Sequence, residues 1–229
     1  MRKLMTTVAA AAVALGFAGA AQAAEKGEGK IQVKLLATGV LPDGAITGTP
    51  TGAAAGAVVG SQTTLNNNVV PTLAVEYFFT PNISVETICC FTGHHVSATG
   101  ALAPLGSIVD HVLVLPATLT AKYHLTGLPL VKPYVGVGPA WFFYIDERPS
   151  ASLTTATGID KVHMSNRVGL ALQVGLDVPL PNSPFGISFD AKKYFVKTTA
   201  HFSVAGTEVL ATEHKVDPWV VSGGVTYRF

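Results

Sequence analysis

From residue 30 to the end, apolar and polar positions alternate with a period of two, segment after segment. In 166–178 one face reads Val168, Leu170, Leu172, Val174, Leu176, Val178, and the other Arg167, Gly169, Ala171, Gln173, Gly175, Asp177. In 216–229 Trp219, Val221, Val225, Tyr227 and Phe229 share a face, opposite Ser222, Gly224, Thr226 and Arg228. Successive side chains of a strand point to opposite faces, so the period predicts strands lying between two different environments. Segments 30–38, 69–79, 83–92, 112–125, 131–145 and 185–197 alternate in the same way, which brings the expected strands to eight.

The connections alternate too. Thr80-Pro81-Asn82, Thr126-Gly127-Leu128-Pro129 and Pro179-Leu180-Pro181-Asn182-Ser183 are short and carry turn residues. Between them lie the long segments 39–68, 93–111, 146–162 and 198–215, which are expected to be loops, the first with room for short helices or extra strand residues. An even number of strands with short turns at one end and long loops at the other is the plan of an outer-membrane barrel. In that orientation Tyr77, Phe79, Tyr123, Phe185, Tyr227 and Phe229 fall at the periplasmic ends of the apolar faces. Phe91, Trp141, Phe143, Phe195 and Trp219 fall toward the outer ends, so the chain places two aromatic girdles where amphipathic rings prefer to lie.

Composition agrees. Hydrophobic residues make up 48% and charged ones 13%, yet after the first two dozen positions no apolar run reaches helix-spanning length. At the start, Arg2 and Lys3, the apolar run Val8–Ala20 and Ala21-Gln22-Ala23 form a signal peptide over 1–23. The barrel is then expected over 24–229, in the outer membrane. The chain is near neutral without a clustered basic patch, which excludes nucleic acid as a partner. Cys89 and Cys90 are neighbours that point to opposite faces, so they do not bridge.

The face opposite the apolar one carries the chemistry. Glu76, Glu86, Lys122, His124, Arg167, Asp177, Asp190, Lys192 and Arg228 all point inward by strand parity. An eight-stranded barrel is only wide enough for side chains, so these groups must pair with one another. They form either a structural polar plug or a gate that closes the periplasmic side. Pro133, Gly136, Gly138 and Pro139 are a candidate wall break, because proline removes a ladder donor in a fold without edges. Ordinary strand coiling would place the same residues there. Lys193 faces outward near the outer girdle, either snorkelling or meeting a phosphate of lipopolysaccharide. His94, His95 and His111 could meet across one loop as a metal site, but adjacent histidines alone are weak evidence, and no Ser/His pair is spaced to share one lipid-facing patch, so neither an enzyme nor a cofactor is expected.

Five stretches resemble the OmpW family of outer-membrane proteins, which includes the AlkL-type alkane-uptake proteins. They are Leu35–Gly44, Leu115–Leu125, Pro133–Phe143, Gly169–Leu180 and Val216–Phe229, in the family's order. The resemblance implies an eight-stranded antiparallel transmembrane barrel that admits small apolar molecules passively and releases them sideways into the membrane. The alternative is a structural or receptor barrel whose loops bind phage, bacteriocin or host factors without transport. Val225, Tyr227 and Phe229 are similar to the carboxyl-terminal signal read by the barrel-assembly machinery. That machinery, outer-membrane lipid, lipopolysaccharide and small hydrophobic solutes are the expected partners.

Overall fold

The computed structural model describes residues 29–128 and 130–229; the expected signal peptide and Pro129 lie outside them. In chain order the strands are β1 (Ile31–Leu41), β2 (Ala45–Thr51), β3 (Ser61–Leu65), β4 (Asn68–Phe78), β5 (Ile83–Cys89), β6 (Thr92–Gly100) and β7 (Ser107–His124). They continue with β8 (Lys132–Pro149), β9 (Lys161–Met164), β10 (Arg167–Pro179), β11 (Phe185–Phe195), β12 (Lys197–Val204), β13 (Thr207–Lys215) and β14 (Trp219–Arg228). Among the described residues one α-helix, α1 (Ala151–Thr157), follows β8.

Neighbouring strands pair antiparallel in the circular order β1-β4-β5-β7-β8-β10-β11-β14, and β14 returns to β1 from Gln32↔Arg228 to Leu41↔Trp219. The eight expected strands are therefore the eight staves of a closed barrel. Its rim is clipped where Phe229 N–H donates to the Ile31 carbonyl at 2.9 Å and Ile31 N–H to that of Phe229 at 3.0 Å. Closure matters because a lipid-facing edge would leave a row of main-chain groups unpaired. Leu35, Val135, Val137, Leu170, Leu172, Val174, Ile187, Phe189, Val221 and Val225 are exposed on the outer face, as lipid-facing residues should be.

The long outer segments are built largely of strands, as left open for 39–68 and as a correction for 93–111, 146–162 and 198–215. Most staves continue outward after a short interruption: β2, β3, β6, β9, β12 and β13 lie in segments expected to be irregular. The reason is a change of environment along an unbroken parity. In β11 the odd residues Phe185, Ile187, Phe189 and Phe195 face lipid, and Asp190, Lys192 and Tyr194 are inside. Past Val196 the outside is water, so Lys197, Thr199 and His201 face out and Val196, Ala200 and Phe202 are buried. The hydrophobic pattern inverts while the backbone carries on.

Above the membrane the barrel becomes two half-shells, β3-β6-β7-β8 and β2-β13-β12-β9. The last ladder pairs below the two seams are Val40↔Asn68 and Phe142↔Arg167. Between β8 and β9, Tyr144 N–H donates to Asn166 Oδ1 at 3.0 Å and Met164 N–H to Glu147 Oε1 at 3.1 Å. Between β2 and β3, Ile46 N–H donates to Gln62 Oε1 at 2.8 Å and Thr63 Oγ1 to the Gly44 carbonyl at 2.5 Å. Side chains stand in for the ladder on both seams.

Pro133, Gly136, Gly138 and Pro139 lie in β8, where pairing differs on the two sides of the strand. On the β7 side the ladder skips between Thr118↔Ala140 and Ala121↔Val137, as a proline at 139 requires. Toward β10 pairing continues, from Leu176↔Pro133 through Gln173↔Gly136 and Ala171↔Gly138 to Leu170↔Pro139. A Cβ on Gly138 would collide with the Leu119 carbonyl oxygen. The wall is drawn tight at this point, and glycine permits the close approach; the openings in the ladder lie farther out, at the seams.

Candidate functional site

The lower lumen is filled by one ionic network with members on seven staves. Lys34 Nζ lies 3.0 Å from Glu76 Oε2, 3.2 Å from Glu86 Oε2 and 3.2 Å from Asp177 Oδ1. Lys122 Nζ lies 2.8 Å from Glu76 Oε2 and 3.0 Å from Glu86 Oε2. Lys192 Nζ joins Glu86 Oε1 at 3.1 Å and Asp190 Oδ1 at 2.6 Å. His124 Nε2 is 2.7 Å from Glu76 Oε1, and Ser84 Oγ donates to the same oxygen. Gln173 Nε2 donates to Glu86 and Asp190, Tyr134 Oη to Asp190 at 2.9 Å, and Ser188 Oγ to Asp177 at 2.6 Å. The Lys122 ammonium also sits 3.6 Å from the Tyr134 ring centroid.

Every acid in this network is within reach of an ammonium or a hydrogen-bond donor, so desolvation is met by mutual pairing. Parting these groups would strip each of its partners in a medium that cannot replace them.

Seven of the nine residues expected in the lumen meet: Glu76, Glu86, Lys122, His124, Asp177, Asp190 and Lys192. Arg167 does not. It opens β10 at the outer rim, exposed, and its guanidinium reaches Thr199 Oγ1 at 3.3 Å on the outer side of the wall. Parity is a weak guide for a long side chain at a strand end, which can swing around the backbone. Arg228 lies at the periplasmic mouth, where Nε donates to the Gly29 carbonyl at 2.6 Å and the guanidinium stacks 3.8 Å over Phe78. Lys34, Tyr134 and Gln173 are members that the inward set omitted. Their parity was readable, since Gln32 and Lys34 alternate with Ile31, Val33 and Leu35.

Directly above, Tyr194 Oη and Thr118 Oγ1 meet at 3.1 Å, and the lumen turns apolar. A narrow throat is lined by Val40, Val112, Val114, Phe142, Tyr144 and Val220. Farther out the half-shells enclose a vestibule of about 350 Å³, walled by Val58, Leu102, Leu105, Leu153, Phe202 and Leu210 among others. Helix α1 closes its side: Ser150 Oγ accepts from Leu153 N–H at the N-cap, and Gly158 ends the helix in the left-handed region.

Two histidines belong to this outer part. His214 contacts Thr212 Oγ1 at 2.7 Å and Thr63 Oγ1 at 3.0 Å; His94 contacts Thr92 Oγ1 and the Asn66 carbonyl. Burial pushes both imidazoles below the ordinary histidine range, with carbonyl contacts offsetting part of the shift. The unfolded chain therefore takes up protons more readily than the folded one. Their contribution to stability is intact above pH ~6.5 and lost as the pH falls through the depressed folded values. Amide exchange in β3, β6 and β13, corrected for intrinsic rates, should show easier opening at pH 5 than at pH 7.5. His214→Gln should remove part of that difference, and an unchanged difference in both His214→Gln and His94→Asn would refute the assignment.

On the lipid side Lys193 Nζ lies 5.3 Å over the Trp219 ring and donates to the Asp217 carbonyl, which turns its charge toward the outer headgroups.

A family model described as the OmpW family matches residues 27–229. The protein y4mB of Sinorhizobium fredii, described as an outer-membrane protein, is 35% identical over 86% of this chain and 79% of its own. Outer membrane protein W of Vibrio cholerae is 30% identical over 74% of this chain and 77% of its own. Among solved structures, OprG from Pseudomonas aeruginosa is similar at a TM-score of 0.77 and 24% identity, covering 88% of this chain and 96% of that one. AlkL in lipid bilayers, solved by solid-state NMR, gives 0.69 and 24%, covering 91% and 94%.

Proposed function

The chain belongs to the OmpW family of outer-membrane β-barrels, which are not enzymes, and on that premise we propose that it is a passive conduit for small hydrophobic molecules. One observation carries the reading: an apolar vestibule and throat stand directly on a charged network that fills the lower lumen. A molecule that partitions into the vestibule gains by leaving water, but gains nothing by entering the network. Its low-cost way onward is sideways, and the seams are where the wall lacks a ladder. Each seam is held by a few side-chain contacts, among them hydrogen bonds worth about 0.5–1.5 kcal/mol apiece, so a parted state would be a minor but accessible population. Kinship with AlkL, 28% identical over 76% of this chain, supports the same cargo class.

The network then serves as both plug and gate, tying the staves together while blocking the axial route. Val225, Tyr227 and Phe229 serve as the assembly signal. Phe229 also clips the barrel shut, so assembly and closure depend on the same residue.

Uptake of an apolar solute such as n-octane into liposomes tests the proposal. Vesicles carrying the barrel should take it up faster than protein-free vesicles, with no gain for a polar solute of equal size. Equal rates with and without protein would overturn the conduit reading.

A further inference from the structure

We propose that the vestibule is a binding site for a neutral amphiphile: an apolar body of about a dozen heavy atoms with one hydrogen-bonding oxygen, which the Ser61 hydroxyl holds. The inference rests on the conduit reading and narrows its cargo from apolar molecules in general to uncharged alcohols, ketones and esters.

Size comes first. At about 350 Å³ the vestibule is more than twice the ~150 Å³ apolar cavity that accommodates benzene. Charge comes next. Among the described residues no Asp, Glu, Lys or Arg lines it, so a carboxylate or ammonium would lose its water and find no counter-charge. His214, the titratable side chain of the lining, is buried and hydrogen-bonded, with its imidazole held below the ordinary range.

The polar complement then singles out one atom. Thr63 donates to the Gly44 carbonyl, Thr212 meets His214, Gln62 accepts from Ile46, and Thr157 donates to the Leu153 carbonyl. Ser61, the first residue of β3, is 5% exposed and lines the same space, and its hydroxyl has no partner among the described residues. A buried hydroxyl left unpaired is costly, and a ligand oxygen that pairs with it recovers the loss. An alkane would leave it unpaired. A carboxylate would pair with it, but would bring an uncompensated charge.

Methyl NMR of the barrel in lipid nanodiscs, following Leu153 and Leu210, tests this with 1-octanol, n-octane and octanoate at pH 7.5. Octanol should produce saturable shifts, with octane about three- to tenfold weaker and octanoate without saturable effect. Ser61→Ala should bring octanol down to the affinity of octane and leave octane unchanged. Ser61→Cys, which preserves volume and a weak donor, should fall between them. Equal affinities for octanol and octane, or no effect of Ser61→Ala, would overturn the subsite and assign the hydroxyl to a bound water. If that happens while barrel-dependent octane uptake persists, the conduit reading stands without it. Loss of octane uptake would overturn the conduit itself.

Discussion

Replacing Glu86 with alanine should lower the stability of the barrel by about 3–5 kcal/mol, the range for removing one partner from a buried ion pair. Glu86 accepts from Lys34, Lys122, Lys192 and Gln173, and so pairs with three ammonium groups where Glu76 pairs with two. Truncation leaves three ammonium groups in a space closed to water. Each keeps another acid: Lys34 has Glu76 and Asp177, Lys122 has Glu76, and Lys192 has Asp190. Those remaining pairs bound the loss from above. Glu86→Gln retains the shape and one acceptor oxygen, so it should cost less than alanine. Urea unfolding from lipid vesicles, followed by tryptophan fluorescence, measures both variants. Breaking the exposed Lys197–Glu213 pair should leave the midpoint unchanged, since solvent screens it. A Glu86→Ala midpoint equal to that of the parent would mean that the network contributes no net stability.

The same network shows what could be read from the sequence and what could not. Within the membrane the two faces meet lipid and lumen, and Val168 to Val178 against Arg167 to Asp177 announces a strand without ambiguity. Parity alone brought seven of nine lumen residues to the right place, because a closed barrel leaves an inward side chain nowhere else to go. It failed at Arg167, where the strand begins and the lumen wall ends. Outside the membrane the contrast reverses. In β12 and β13 the inward residues are Ala200, Phe202, Leu210 and Thr212 and the outward ones Lys197, Thr199, Glu213 and Lys215. A pattern sought with apolar residues facing outward loses phase there and reads as a loop. The vestibule was hidden for the same reason: it is built by residues 46–63, 98–108, 153–159 and 202–214, which lie in the segments expected to be loops. Proline chemistry, for its part, located the skipped ladder at Pro139 correctly. It could not show that Gly138 would let the strands draw closer there instead of parting.

Cross-linking the β8–β9 seam should therefore slow release far more than any change at Pro139. His163 Nδ1 and Glu147 Oε1 face each other across that seam at 3.5 Å, beside the bond from Met164 N–H to Glu147. Glu147→Cys with His163→Cys, joined by a short reducible bis-thiol reagent, replaces weak side-chain contacts by a covalent tie. Cys89→Ala and Cys90→Ala remove the native thiols from the background. If cargo leaves through this seam, uptake of n-octane should fall on the order of tenfold on cross-linking and return on reduction, as for a lid whose opening limits turnover. The matching pair across the other seam, Ile46→Cys with Gln62→Cys, separates the two exits. A fall with one tie alone identifies the door, and comparable partial falls with each tie indicate that both half-shell edges part. Full uptake with both seams tied would show that cargo leaves by another route, leaving the side-chain latches as purely structural closures between the two half-shells.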